Sequence, residues 1–444
     1  MKHKKKFYFF VFVLALIVGH GTVSWWVGER AERLSIQQVN HLNQQFREFA
    51  QNKPEGKSIQ LELDTVKRGI WSSQRLLTII FTHDNEQSLF FFEDELEHGP
   101  WPWSRLKEQQ WTPVLAYSQM HLLKRAAGKQ LYDWSLGKEP LQITTDIDWG
   151  GQFNSLWQWA ALGYKSGHER FVLGAGDLKI WGIGQGRYQL KAQTPAFSYQ
   201  SQDEQLHLID AELRWLSTNP ASLYDGQLYF NAREVEWDAE LRLRADGLTV
   251  EFIQRREDEL LNFSASGNAT GITVDRGILL GDLSLRLQLE RIAEELGAQA
   301  LGGLTEAERD ELWLQSLAAH PRYTIEELRW ENSGGRATFD GFFELTPKLG
   351  QELEKASAQA TIPQTVIQEV FKQEKGMKAA MLNLLLQSFI KEGAELGLLT
   401  FEDEVISFDM QYDQSADNYV LNGQTHEKSE MQAILFKWLM WLAG

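Results

Sequence analysis

The chain has 444 residues, of which 43% are hydrophobic, 24% are charged and 10 are proline, a composition typical of folded proteins and not of disordered or fibrous ones. The 61 acidic residues against 44 basic ones give a formal net charge of −17, which argues against nucleic acid as a partner because phosphates would repel such a body. The absence of cysteine excludes disulfides, thiol nucleophiles and cysteine-based zinc sites.

The first predicted element is a membrane anchor. Residues 1–6 form a basic tail with four lysines, and Phe7–Val27 contains no Asp, Glu, Lys or Arg. A helix over 7–27 would be about 31 Å long, which matches the hydrocarbon layer of a bilayer. Trp25 and Trp26 are typical of the membrane interface, and the lysines place the tail in the cytoplasm. We therefore expect an uncleaved, single-pass signal anchor; a cleaved signal peptide is the alternative, but no small-residue cleavage site is evident.

The next predicted element is an amphipathic helix within residues 28–57. Its apolar residues, from Leu34 to Phe49, recur at helical spacing. Asn52, Pro54 and Gly56 end the helix and form a short linker.

From Ser58 onward the apolar residues alternate with polar ones, which is the period of a β-strand. The clearest stretch, Phe171–Leu289, contains many such runs separated by turn signals such as Asp225-Gly226 and Asp246-Gly247. The pattern predicts a large, twisted antiparallel meander with one apolar and one polar face. We take residues 58–444 as one β-rich body.

Helical spacing returns at residues 305–320, 363–390 and 429–443. The expected fold class is therefore α+β, an N-terminal transmembrane helix followed by the sheet, with helices concentrated in the C-terminal third. The last helix, Ser429–Ala443, would be only about 22 Å long, too short to cross a bilayer. It either docks on the sheet or lies in the membrane interface, and its single basic residue, Lys437, favours docking.

Five short motifs resemble one known family: Gly21–Glu29, Arg68–Gln74, His98–Pro102, Leu328–Ser333 and Val420–Gln424. In this order, after an N-terminal anchor, they are similar to the YdgA-like family of bacterial proteins of unknown function. The resemblance implies a Gram-negative inner-membrane protein whose C-terminal body faces the periplasm. It implies no reaction, and no catalytic residue follows from it.

The chain offers little recognisable chemistry. The acidic run Glu93–His98 lacks the second histidine of a metal motif, and no nucleophile elbow surrounds Ser72 or Ser73. We predict no catalytic, metal or cofactor-binding residues. The remaining candidate is His98 with Trp101 and Trp103, which either plug one end of the sheet or form a platform that stacks on a partner.

The function depends on what covers the apolar face of the sheet. If the C-terminal helices cover the whole face, the body is a non-catalytic structural or interaction protein of the cell envelope, with an envelope protein as its partner. If they cover one end, the rest becomes a groove that suits lipid or another apolar ligand. We favour the structural or interaction role over the groove, and both over an enzymatic function.

Overall fold

The structure is a computed structural model. It describes residues 2–51, 58–83, 86–184, 187–218, 225–257, 260–275, 277–293, 317–347, 353–374, 377–416 and 418–431. The side chains of residues 2–19, 41, 45, 48–51, 184 and 293 lie outside this description. By their internal packing the residues form two compact units, Met1–Phe197 with Asn219–Ala221, and Ser198–Thr218 with Ser222–Gly444.

The chain begins with one long helix, α1 (Lys2–Gln51). It includes both the expected anchor and the expected amphipathic helix, because no proline interrupts the sequence between them and Gly21 and Gly28 are accommodated within the helix. The first unit also contains α2 (Trp103–Lys107) and α3 (Gly128–Trp134). The expectation that the helices concentrate in the C-terminal third was therefore wrong.

Within the described part of the chain, no helix is both long enough and apolar enough to cross a membrane. Most of the expected span, residues 7–19, has side chains outside that part.

An antiparallel sheet forms most of the first unit. Consecutive hydrogen-bonded strands follow the order β1-β2-β3-β4-β5-β6-β9-β10, and the hairpin β7–β8 pairs with β10 through β8. The strands are β1 (Ser58–Arg68), β2 (Ser72–His83), β3 (Glu86–His98), β4 (Ala116–Leu122), β5 (Leu141–Ile147), β6 (Phe153–Trp159), β7 (Leu162–Ser166), β8 (Glu169–Leu173), β9 (Gly176–Gly184) and β10 (Arg187–Gln200).

The second unit also consists of antiparallel strands. Their order is β11-β12-β15-β16-β17-β18-β19-β20-β22-β23-β24; β13–β14 joins β11 to β16, and β21 pairs with β22. The strands are β11 (Gln205–Ser217), β12 (Gly226–Ala232), β13 (Glu234–Asp238), β14 (Arg242–Ala245), β15 (Gly247–Glu257), β16 (Leu260–Val274), β17 (Ile278–Ala293), β18 (Arg322–Asn332), β19 (Gly335–Leu345), β20 (Leu353–Pro363), β21 (Thr400–Glu402), β22 (Val405–Asp413), β23 (Asn418–Leu421) and β24 (Gln424–Glu427). The prediction of a large antiparallel sheet is confirmed.

Two helices pack at one end of the second unit's sheet. They are α4 (Gln364–Phe371) and α5 (Met377–Glu395). Both overlap the predicted helical region 363–390, and α5 ends five residues beyond it. Leu386 and Ile390 of α5 pack with Leu399 and with Ile406 of β22. The other two predicted C-terminal helices lie largely outside the described residues, which resume at 317 and stop at 431.

Candidate functional site

Helix α1 docks on the first unit's sheet through a face of small residues. Ser24, Val27 and Ala31 are fully buried, and Gly28 lies on the same face. Their spacing of three or four residues puts them on one side of the helix. Ala31 packs against Leu96 of β3 and Ala116 of β4. Small side chains on this face allow the helix backbone to approach the sheet closely.

The closest approach is between Gly28 and His98. A Cβ atom added to Gly28 would lie only 2.4 Å from Nδ1 and Cε1 of the His98 ring, a distance that real contacts do not allow. Only glycine fits here without movement of the ring or of the helix. His98 is 2% exposed, so the imidazole is enclosed between the helix and the sheet.

The hydrogen bonds of His98 fix its tautomer. Nδ1 lies 3.0 Å from the Ile70 carbonyl oxygen, which can only accept, so Nδ1 carries the proton. Nε2 lies 3.0 Å from Ser73 Oγ and therefore accepts a hydrogen bond from that hydroxyl. Burial lowers the pKa of His98 below its usual 6.5. The ring is thus held neutral, with both nitrogens paired.

A hydroxyl that donates to an imidazole is also the arrangement of a nucleophile and its base. In catalytic triads a carboxylate orients the other ring nitrogen, whereas His98 has the Ile70 carbonyl in that position. Ser73 is 1% exposed, and the helix closes the approach to His98. The pair therefore positions α1 on the sheet and offers a substrate no access.

A buried ion pair lies on the same face of the sheet. Arg75 of β2 and Asp94 of β3 are direct strand partners and form a salt bridge, with Nε donating to Oδ2 over 2.7 Å. Ser118 of β4 donates to Asp94 Oδ1 over 2.7 Å. Asp94 is completely buried, and a buried carboxylate requires such partners to remain charged. This network links β2 to β3 and β4, the last two of which contact α1.

The loop after His98 makes a second attachment to α1. Ser24 Oγ donates a hydrogen bond of 2.6 Å to the Gly99 carbonyl. The Gly99 N–H donates to the Leu115 carbonyl over 2.8 Å, and a Cβ at Gly99 would lie 1.8 Å from the Val114 carbonyl oxygen. Glycine is therefore required for the loop to lie this close to the neighbouring chain.

Asn43 attaches the C-terminal half of α1 to β1. Its side-chain amide donates to the Leu61 carbonyl and its amide oxygen accepts from the Leu61 N–H, both over 2.7 Å. These are the two bonds that a neighbouring strand would make to one residue. Asn43 thus satisfies the backbone N–H and C=O of one residue of an edge strand.

The predicted site residues do not form one surface. His98 is buried, whereas Trp101 and Trp103 are 45% and 66% exposed. Trp25 and Trp26 are also exposed, on a side of α1 that faces away from the sheet. Across the described ranges, no group of three or more His, Asp or Glu is arranged to hold a metal ion.

The second unit carries a different feature, a continuous apolar face. Successive pairings place one residue from each of ten strands in a single row across the sheet. None of these residues carries a charge or a hydroxyl. In order the row is Trp215, Leu228, Phe252, Ala265, Leu287, Ile325, Gly341, Ala358, Met410 and Leu421.

Most of this face is open in the described structure. The row residues from Trp215 to Met410 are only partly buried, and Leu421 alone is fully buried. On β15 the apolar Val250 and the polar Thr249, which lie on opposite faces, are both only partly buried.

The helices cover one end of the face. Phe408, Met410 and Tyr419 of β22 and β23 pack against a buried cluster of Leu398, which follows α5, with Leu421 and Met431. Helix α4 also contacts β17, β18 and β19, and the apolar rows continue beyond the described helices on β11 to β16.

The comparisons with known proteins agree with the motif resemblance. The model of the family described as "Bacterial protein of unknown function (DUF945)" matches residues 3–427. The chain belongs to this family. The curated relatives of this DUF945 protein include Protein YdgA of Escherichia coli (strain K12), 27% identical over 178 residues, 38% of this chain and 34% of that protein.

An uncharacterized protein of Haemophilus influenzae (strain ATCC 51907 / DSM 11121 / KW20 / Rd) is 29% identical over 134 residues, 30% of the DUF945 chain and 35% of that protein. The alignments thus span about a third of these relatives. No solved structure matches the chain.

Several contact residues of this DUF945 chain were missed by sequence reasoning. Ser24 and Gly28 lie within the motif Gly21–Glu29, and Ser73 lies within Arg68–Gln74, but their roles depend on a neighbour far along the chain. The available signal was the spacing of small residues in α1, which marks a close helix contact.

A larger side chain at Gly28 should displace α1. We expect Gly28→Val to lower the stability of the full DUF945 chain by about 1–3 kcal/mol, because the new Cβ overpacks the His98 ring. Gln38→Val places the same residue at an exposed position of the same helix and should change stability by less than about 0.5 kcal/mol. Thermal unfolding followed by circular dichroism measures both; equal midpoints would contradict the contact.

The burial of neutral His98 should make stability depend on pH. Its folded pKa lies below 6.5, so the unfolded chain takes up the proton first, and stability present above pH 6.5 is lost as the pH falls. The loss for one proton is at most about 1.4 kcal/mol per pH unit.

Urea unfolding at pH 7.5, 6.5 and 5.5 checks this prediction. His98→Gln should remove the part of the fall in stability at low pH that His98 causes. His168→Gln, at an exposed histidine, should show the same fall in stability as the unaltered chain. If His98→Gln declines as steeply as the unaltered chain, another group causes the pH dependence.

Proposed function

We propose that this protein is a membrane-anchored, non-catalytic protein of the bacterial envelope that holds acyl chains of lipids on the open apolar face of its second unit. The observation that supports this most is the apolar row across ten strands, nine of whose residues are only partly buried. A continuous apolar surface of this extent that is not fully buried is typical of an interaction site.

The dimensions of the face suit lipid. Nine strand spacings of about 4.8 Å make the row about 43 Å long, whereas the hydrocarbon of one bilayer leaflet is about 15 Å thick. A parallel row, Leu213, Phe230, Val250, Gly267, Leu285, Leu328, Phe339, Ala360 and Phe408, widens it. Each methylene group buried there contributes about 0.8 kcal/mol, and neither row offers charged groups that would select a polar ligand.

The anchor connects this face to a source of lipid. The basic tail, the uncharged run Phe7–Val27 and the tryptophan pair that follows favour a single pass through the inner membrane, with the body in the periplasm. The inner membrane is then a direct partner of the protein, and nucleic acid is not, given the net charge of −17.

A second candidate function is the binding of another envelope protein. It is favoured by an exposed apolar stripe on α5, at helical spacing: Met377, Met381, Leu384 and Leu385. A partner helix that packed on this stripe would make the protein a structural or interaction component. For either function the buried Ser73–His98 pair argues against catalysis, since nothing can reach it.

The lipid proposal can be tested with a photoreactive phospholipid that carries a diazirine in its acyl chain. Membranes containing the full chain are irradiated, and the crosslinked peptides are identified by mass spectrometry. We expect adducts on peptides of β12, β15, β16 and β17. Val250→Asp should reduce them several-fold, because a carboxylate among acyl chains is strongly unfavourable.

The control is Thr249→Asp, which puts the same charge on the neighbouring residue of β15 but on the opposite face. It should leave the adducts unchanged. Adducts confined to residues 7–27 would show that lipid contacts the anchor alone, and they would refute binding by the face.

The orientation can be tested independently, because the chain has no cysteine of its own. Leu136→Cys, at a position 91% exposed, should react with a membrane-impermeant maleimide in spheroplasts. Lys4→Cys should react only after the membrane is permeabilised. Labelling of Lys4→Cys in intact spheroplasts would overturn the proposed orientation.

A further inference from the structure

The first unit exposes a cluster of large apolar side chains at one end of its sheet. The cluster consists of Ile70 and Trp71 in the β1–β2 turn, Trp101 in the loop after β3 and Trp103 at the start of α2; we call these four residues the collar. They are 51%, 46%, 45% and 66% exposed, respectively. Exposed tryptophans concentrated at one place on a surface indicate an interaction site.

Trp71 and Trp101 of the collar lie beside α1 at the point where the helix leaves the sheet. The Trp71 ring lies 4.9 Å from the His20 ring, and the Trp101 ring lies 6.3 Å from it, stacked at 15°. A Cβ added to Gly21 would lie 3.2 Å from the Trp71 ring. From Ser24 onward the helix is bound to the sheet, and the uncharged run that precedes His20 is N-terminal to the collar.

The length of this run determines where the collar lies. Residues 7–19 separate the basic tail from His20, and 13 residues of helix span about 20 Å. The hydrocarbon layer is about 30 Å thick. The full run Phe7–Val27 would be long enough, but its last residues are bound to the body. This run is about 10 Å shorter than the hydrocarbon layer and leaves no spacer, so the collar end of the body is drawn against the membrane surface.

The chemistry of the collar fits that position. Tryptophan is enriched at membrane interfaces because its ring is largely apolar and its N–H is polar. Lys107 is exposed four residues after Trp103, and the Arg30 guanidinium lies 5.9 Å from the centre of the Trp26 ring on α1. Basic groups beside tryptophans can pair with anionic headgroups.

We infer that the collar lies in the interfacial layer of the membrane that holds α1, and that it fixes the first unit upright on the bilayer. The occupant of this apolar surface is therefore the phospholipid headgroup region, not a soluble ligand. This inference rests on the proposed membrane anchor and adds a second, independent contact between body and membrane.

Single cysteines test the inference on the full chain, which has none of its own. Ile70→Cys and Trp103→Cys are labelled with the fluorophore NBD, and the protein is reconstituted in vesicles of phosphatidylcholine and phosphatidylglycerol, 3:1. A spin-labelled phosphatidylcholine with the nitroxide near the headgroup quenches NBD only within the interface. We expect at least threefold stronger quenching at both positions than at the control.

The control is Leu136→Cys in the same unit. Its segment lies at the other end of β3, since Ala127 N–H bonds to the Leu89 carbonyl there; Leu89 and His98 are nine residues apart, about 30 Å along a strand. Leu136 is 91% exposed, so its label reports a part of the body away from the collar.

Each outcome has a separate meaning. If the full chain does not float with the vesicles, the anchor fails and the inference fails with it. If the chain floats but both collar labels remain unquenched, the anchor stands and the inference is overturned. Equal quenching at Leu136→Cys would mean that the unit lies flat, which also overturns the upright position. Two collar positions guard against misfolding of one variant.

Discussion

The period of two along an antiparallel strand is the constraint on which both units depend. Each residue that pairs with a neighbour transmits its orientation to the next strand, so one choice of register determines which face every side chain occupies. In the second unit this constraint carries one apolar row from Trp215 to Leu421. In the first unit it puts Ser73, Arg75, Asp94 and His98 on the same buried face of the sheet. A slip of one residue would reverse both arrangements.

Much of the fold could be predicted, because alternation is a local property. The strand segments were recognisable wherever apolar and polar residues alternated, as in Leu283, Leu285 and Leu287. The sequence did not predict that α1 is one continuous helix, because Gly21 and Gly28 weaken a helix in isolation. Only the close contacts of these glycines with Trp71 and His98 explain their presence in α1. The part of the sheet that helices cover also could not be predicted from the sequence. It depends on where α4 and α5 pack and not on the spacing of the apolar residues within each helix.

The candidate site shows the same division. Composition marked His98, Trp101 and Trp103 as unusual, but it could not indicate that His98 is buried and the tryptophans exposed. His98 finds its partners in Ile70 and Ser73, more than twenty residues earlier in the chain. Such contacts are decided by tertiary packing. The residues of this motif therefore have different roles: His98 packs against α1, and the side chains of Trp101 and Trp103 are exposed.

The side-chain amide of Asn43 affects how the exposed edge of β1 can meet a neighbouring copy of the protein. By bonding to both backbone groups of Leu61, it gives the middle of β1 what a strand from another molecule would otherwise supply. Unpaired backbone groups on an exposed strand edge favour edge-to-edge pairing of sheets. With Leu61 already bonded to its own helix, a strand from a neighbouring copy would meet an interrupted row of free backbone groups on that edge.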